Sequence, residues 1–94
     1  MIRLNAFFKV KEGVTTAQVK ALADELVEIS RKDEGNKGYD LFESATQLGV
    51  FMFCETWENK VYLARHARSE HFTRIVPEIE KLTEGGLSIE QFER

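Results

Sequence analysis

Residues 2–10 alternate without a break: Ile2, Leu4, Ala6, Phe8 and Val10 fall on one side, Arg3, Asn5, Phe7 and Lys9 on the other. A period of two over this length predicts a β-strand with one apolar face. Lys11-Glu12-Gly13 reads as a turn. Thr15 and Gln18 have capping-box spacing, the Thr15 hydroxyl accepting from the Gln18 N–H while the Gln18 side chain reaches back. Val19, Leu22, Ala23, Leu26, Ile29 and Ser30 then recur at three- and four-residue intervals, which predicts an amphipathic helix ending near Asp33, ahead of Gly35. A second strand, Tyr39 to Ser44, follows Gly38 with weaker alternation, and residues 45–49 read as a hairpin loop.

Val50 to Trp57 is the third strand. Phe51, Phe53, Glu55 and Trp57 share one face, and Val50, Met52, Cys54 and Thr56 share the other. Apolar side chains on both faces predict burial on both sides. Asn59 is placed to cap a short helix running to Arg68, and Ser69 to cap a further helix carrying Phe72, Ile75, Val76, Ile79 and Leu82. Pro77 removes a backbone donor there, so a kink or break is expected. Gly85-Gly86 stops that helix, and Leu87 to Phe92 alternates as a fourth strand.

The element order is β-α-β-β-α-β, the split βαβ pattern of an α+β, ferredoxin-like fold: a four-stranded antiparallel sheet with its helices on one face. One helical layer leaves the other face bare, although apolar side chains from the third strand point there. A homodimer packed through that face is therefore expected.

Ninety-four residues make one domain, residues 1–94. A net charge of −3 gives no electrostatic reason to expect nucleic acid or an anionic membrane as partner. No apolar run is long enough to span a membrane. The alternating N-terminus is unlike a signal peptide. The lone Cys54 excludes a disulfide framework and a thiolate metal site, and a cytoplasmic setting is expected.

Candidate chemistry concentrates between Cys54 and His71, which holds the only Trp and both His residues. Glu55 and Trp57 point to one side of their strand. A buried carboxylate needs a partner, and Arg65, Arg3 or a histidine would serve; alternatively Glu55 orients a catalytic imidazole. Histidine is the side-chain type whose unperturbed pKa lies nearest neutrality, which singles out His66 and His71 as candidates for acid–base work. Five residues apart, they stand about 140° apart on one ideal helix, so they meet only if the chain breaks near Ser69. Tyr39 and Tyr62 are possible phenol donors. Two histidines and scattered carboxylates reproduce no compact metal-ligand motif, and no glycine-rich loop supports a nucleotide. Neither a metal nor a cofactor is expected.

Glu55-x-Trp57, followed by His66 and Ser69-x-His71-Phe72, resembles the E-x-W…H…S/T-x-H motif of the antibiotic biosynthesis monooxygenase family. The junction Ser30 to Tyr39 resembles that family's E-G-C-x-x-Y segment, with Asn36 where a Cys is common. The resemblance covers nearly the whole chain and implies a small dimeric protein of the dimeric α/β-barrel type. It implies a cofactor-independent monooxygenase oxidising a small quinol or phenol with O2. His66 is then the base, Glu55 its orienting group and Asn5 the donor to the developing anion. Trp57, Phe7, Phe51 and Phe53 form the substrate pocket, with His71 and Tyr39 beside it. His71 is favoured as tying the helix break to the sheet, His66 as touching the cavity. The family also contains isomerases and haem-cleaving members, and a binding dimer without catalysis remains open, because fold does not fix function.

Overall fold

In the computed structural model, which describes residues 1–94, the elements are β1 (Ile2–Lys9), α1 (Thr16–Ser30), β2 (Asn36–Glu43), β3 (Val50–Trp57), α2 (Lys60–Ala67), α3 (Glu70–Lys81) and β4 (Ser88–Glu93). The strands form one antiparallel sheet in the order β2-β3-β1-β4. This is the expected α+β, ferredoxin-like arrangement. No helix is long and apolar enough to cross a membrane.

Register decides which side chains can meet. In an antiparallel ladder, directly opposed residues project from the same face. Leu4 opposes Glu55, Ala6 opposes Phe53, and Tyr39 opposes Glu55 from the other flank. These residues lie under the helices. Arg3, Asn5 and Phe7 oppose Thr56, Cys54 and Met52, and all of these lie on the bare face. The core sits between sheet and helices, built from the even-numbered residues of β1, Phe51, Phe53 and Trp57 of β3, Val19, Ala23 and Leu26 of α1, and Ile75, Val76 and Ile79 of α3.

The caps are those the sequence suggests. Gln18 N–H donates to Thr15 Oγ1 at 3.3 Å, and the Gln18 side chain accepts from Thr15 N–H at 3.1 Å. Asn59 Oδ1 accepts from Val61 N–H at 3.0 Å, and Ser69 Oγ accepts from Phe72 N–H at 3.2 Å. Three local details differ from expectation. Helix α1 stops at Ser30, because Lys32 and Asp33 bond back to Ile29 and Ser30 in tight turns rather than extending it. Strand β2 starts at Asn36, its first residues pairing with β3 across a bulge. Helix α3 runs unbroken through Pro77, which lies on its exposed side, where water can satisfy the carbonyl the proline leaves free.

The α1–β2 turn matters for the site. Gly35 has φ +81°, and a Cβ there would lie 2.2 Å from the Tyr62 ring. Only glycine lets Tyr62 of α2 sit against the turn. The turn is further bonded by Asn36 N–H to Asp33 O at 3.1 Å and Glu58 N–H to Gly35 O at 2.8 Å. Asp33 is thereby fixed beside α2.

Strand β4 is the least supported element. It pairs only with β1, and all six of its residues are exposed. No helix covers its inner side, and a cavity lies there.

Candidate active site

Strand β3 delivers Glu55 and Trp57 to the covered face. Both are buried, Trp57 at 0% and Glu55 at 5% exposure. Trp57 Nε1–H donates to Glu55 Oε1 at 2.9 Å, so the indole is the partner of this carboxylate, not Arg3, Arg65 or a histidine. One neutral donor does not offset the desolvation. Burial pushes the Glu55 carboxyl up to about 7, against the lowering effect of its contacts with Trp57 and Tyr39. The Tyr39 phenol approaches Glu55 and Ser30; burial first, and the nearby carboxylate second, raise its pKa, so it is held protonated. It closes no full bond to Ser30, whose Oγ is left without a partner.

The histidines meet across the break between α2 and α3. Ser69 sits in that break, its Oγ donating to the His66 carbonyl at 2.7 Å. The two rings lie 5.7 Å apart, and both reach Asp33: His66 Nδ1 at 2.9 Å and His71 Nε2 at 2.8 Å from Asp33 Oδ2. A carboxylate only accepts, so both ring nitrogens donate to it. His66 Nδ1 then carries the ring proton, and Nε2 carries the lone pair. His66 Nε2 is buried and has no partner in the protein. Around it the ring is packed by Trp57 at 4.6 Å, Phe72 at 5.2 Å and Tyr39 at 5.5 Å between centroids. Burial lowers the His66 pKa, and the Asp33 hydrogen bond opposes that shift without cancelling it. The imidazole is therefore neutral at physiological pH, the form a base needs.

A cavity of about 270 Å³ lies between the sheet and the three helices, with eleven of its fourteen lining residues hydrophobic. Its floor is Leu4, Ala6 and Phe53, its helical wall includes Leu63, Phe72 and Val76, and its β4 side is Ile89 and Gln91. Tyr39, Glu55 and His66 supply polar groups within the apolar lining.

Of the residues singled out from the sequence, Glu55, His66, Tyr39 and Phe53 line this one space. The others do not, for physical reasons. Asn5 and Phe7 alternate to the bare face, where Asn5 contacts Glu90 at 3.4 Å. Neither can join His66 through the sheet. Phe51 stacks on Phe8 at 5.3 Å, away from the cavity. Trp57 does not form the wall; it stands behind it, holding Glu55 and backing the His66 ring. His71 stays outside, on Asp33. The group that orients His66 is Asp33 rather than Glu55. Asp33 lies 33 positions from His66 in the chain and 38 from His71, so no local pattern marks it. The cavity residues Leu63, Phe72, Leu87, Ile89 and Gln91 carry no sequence signal beyond apolar periodicity.

The arrangement offers a partly open apolar space, a neutral oriented imidazole, a carboxyl that titrates near neutrality and a protonated phenol. Residues 1–78 match the family model for antibiotic biosynthesis monooxygenase. The chain belongs to the antibiotic biosynthesis monooxygenase family. Among curated proteins it is 33% identical to "Putative monooxygenase YcnE" of Bacillus subtilis (strain 168), over 95% of this chain and 93% of that one. Among solved structures it is similar to a conserved protein of unknown function from Bacteroides thetaiotaomicron VPI-5482, described as a possible oxidoreductase. The identity is 43%, the TM-score 0.91, and 99% of this chain and 96% of that chain are covered. A crystal structure described as an antibiotic biosynthesis monooxygenase is 31% identical with a TM-score of 0.92, covering 100% of this chain and 98% of that chain.

Proposed function

We propose that this member of the family is a cofactor-independent monooxygenase acting on a small phenol or quinol. The observation that carries the reading is His66: Nδ1 is held by Asp33, while Nε2 is buried without a partner on a residue that lines an apolar cavity. An unpartnered buried nitrogen costs stability, and a substrate hydroxyl bound in the cavity would satisfy it.

Electron-rich phenols can themselves supply the electrons that O2 takes up, once deprotonated. His66 Nε2 takes the phenolic proton. The Tyr39 hydroxyl, held protonated by its surroundings, donates to the oxygen that becomes anionic. O2 adds at a ring carbon bearing hydrogen, and the resulting hydroperoxide loses water. One oxygen atom stays in the product as a carbonyl and the other leaves as water, so the substrate provides every electron. The apolar walls lower the dielectric around the anion, while the β4 side leaves the cavity partly open. A cavity of about 270 Å³ suits one or two fused rings rather than a macrocycle.

Oxygen uptake by chelator-treated protein with simple quinols and naphthols tests the reading. Acceleration over buffer that disappears in His66→Gln is expected; no acceleration with any such substrate would overturn it.

We also propose that the protein is a homodimer joined through the bare sheet face. Phe7, Val50 and Met52 lie there half-exposed, with Phe42 and Phe92 more exposed still. A patch of this kind, repeated by a two-fold axis, is its own complement. Sedimentation of a stable monomer at micromolar concentration would contradict this.

A further inference from the structure

We propose that Asp33, His66 and His71 form a binding site for one divalent transition-metal ion of the zinc type, set against the outer edge of the His66 ring. Their ligand atoms, Asp33 Oδ2, His66 Nδ1 and His71 Nε2, all lie within 4.8 Å of one another. They come from three separate elements, the α1–β2 turn, α2 and the first turn of α3. The two oxygen–nitrogen separations, 2.9 and 2.8 Å, are shorter than the roughly 3.4 Å between tetrahedral ligands bound at about 2.1 Å from one ion, so the three groups open by about half an ångström to take it. The hydrogen-bonding protons now occupy the space an ion would take. Both imidazoles are buried and held by packing, at 3% and 8% exposure, so little side-chain freedom is lost on binding.

The site has an approach. A separate polar crevice of about 90 Å³ is lined by Asp33, Glu34, Tyr62, Arg65, His66 and Ser69. Its volume holds a water able to complete the coordination shell. Ser69 Oγ lies 3.2 Å from His71 Nε2. The cation on this rim, Arg65, is engaged with Glu34 at 3.6 Å and stands over the Tyr62 ring at 5.5 Å. Two imidazole nitrogens and one carboxylate oxygen select zinc-like ions over magnesium or calcium, which prefer all-oxygen shells.

Occupancy has a consequence that rests on the catalytic reading above, although the site itself does not. An ion bound at His66 Nδ1 uses that nitrogen's lone pair, so the neutral ring keeps its proton on Nε2. Nε2 then donates instead of accepting, and the base is lost. Zinc binding and proton abstraction exclude each other at this residue.

The test is calorimetric titration of Zn2+ into the chelator-treated full chain, with Mg2+ as control. One Zn2+ per chain and no Mg2+ heat are expected. Asp33→Asn and His71→Gln should each weaken binding by at least about tenfold. Should a variant fail to fold, Co2+ added to the unaltered protein gives a visible d–d spectrum characteristic of nitrogen and oxygen ligands. Absence of both Zn2+ heat and a Co2+ band would overturn the site, as would binding unchanged in both variants. Zinc binding without any quinol oxidation leaves the site standing and removes the catalytic reading. Oxidation without zinc binding does the reverse.

Discussion

The two faces of the sheet carry comparable residues and have different prospects. On the covered face, Tyr39, Glu55 and His66 border an apolar cavity, and burial shifts the acidity of all three. On the bare face, Arg3 donates to Thr56 Oγ1 at 2.6 Å and to Cys54 Sγ at 3.1 Å, and Asn5 meets Glu90. Those groups are paired with one another, the Arg3 contacts part-buried and the Asn5 contact exposed. Polar side chains become reactive where desolvation leaves them unsatisfied, and satisfied surface pairs do not. The comparison separates the face proposed for chemistry from the face proposed for association.

The largest expected effect belongs to the covered face. His66→Gln should lower oxidation rate by about 10²–10⁴-fold, read as kcat in oxygen uptake, with the fold intact by circular dichroism. Next is Trp57→Ala. It empties the most buried large side chain and leaves Glu55 Oε1 without its donor, so denaturant unfolding should show a loss of about 3–5 kcal/mol.

The pH dependence of stability follows. Glu55 titrates at about 7 in the folded chain against 4.5 for an ordinary glutamate. A raised carboxyl favours the fold while protonated, so its contribution is complete below about pH 4.5 and lost as pH rises to about 7. The loss is roughly 3 kcal/mol. His66 acts in the opposite sense: its pKa is lowered, so its contribution is present above 6.5 and lost as pH falls below it. Unfolding curves of Glu55→Gln minus those of the unaltered protein isolate the first trend. A difference independent of pH between 4.5 and 7 would mean that Glu55 is better solvated than its burial implies.

On the bare face, Phe42→Asp combined with Phe92→Asp should convert the proposed dimer to monomer in sedimentation while the chain stays folded. The smallest effect is expected for Asn5→Ala, within about twofold of the unaltered rate, since its side chain is separated from the cavity by the sheet. A loss comparable to that of His66→Gln would break the division between faces.

Much of the architecture is legible in the chain because it is local. Strict alternation in β1 and β3, the capping residues Thr15, Asn59 and Ser69, and the helical spacing of Val19 to Ser30 each depend on near neighbours. The break at Ser69 is also readable, and with it the possibility that His66 and His71 converge. Alternation alone places Glu55 with Trp57 and Asn5 with Phe7. It does not say whether those two pairs share a side of the sheet. That depends on cross-strand register, and the pairing of Leu4 with Glu55 puts Asn5 on the other face.

Asp33 is the clearest instance of what lies beyond local reading. In Arg31-Lys32-Asp33-Glu34-Gly35 it is one charged residue of a turn, with nothing to distinguish it from Glu34. It acquires its role because Gly35 admits Tyr62, which brings α2 against the turn, and because α3 restarts at Ser69 and turns His71 back toward the same carboxylate. The sequence by itself determined the elements, their order and the face each side chain takes along its own strand, since backbone periodicity governs all three. Only the tertiary structure decided which faces coincide, which carboxylate holds His66 and where the cavity lies, because each depends on the packing of segments far apart in the chain.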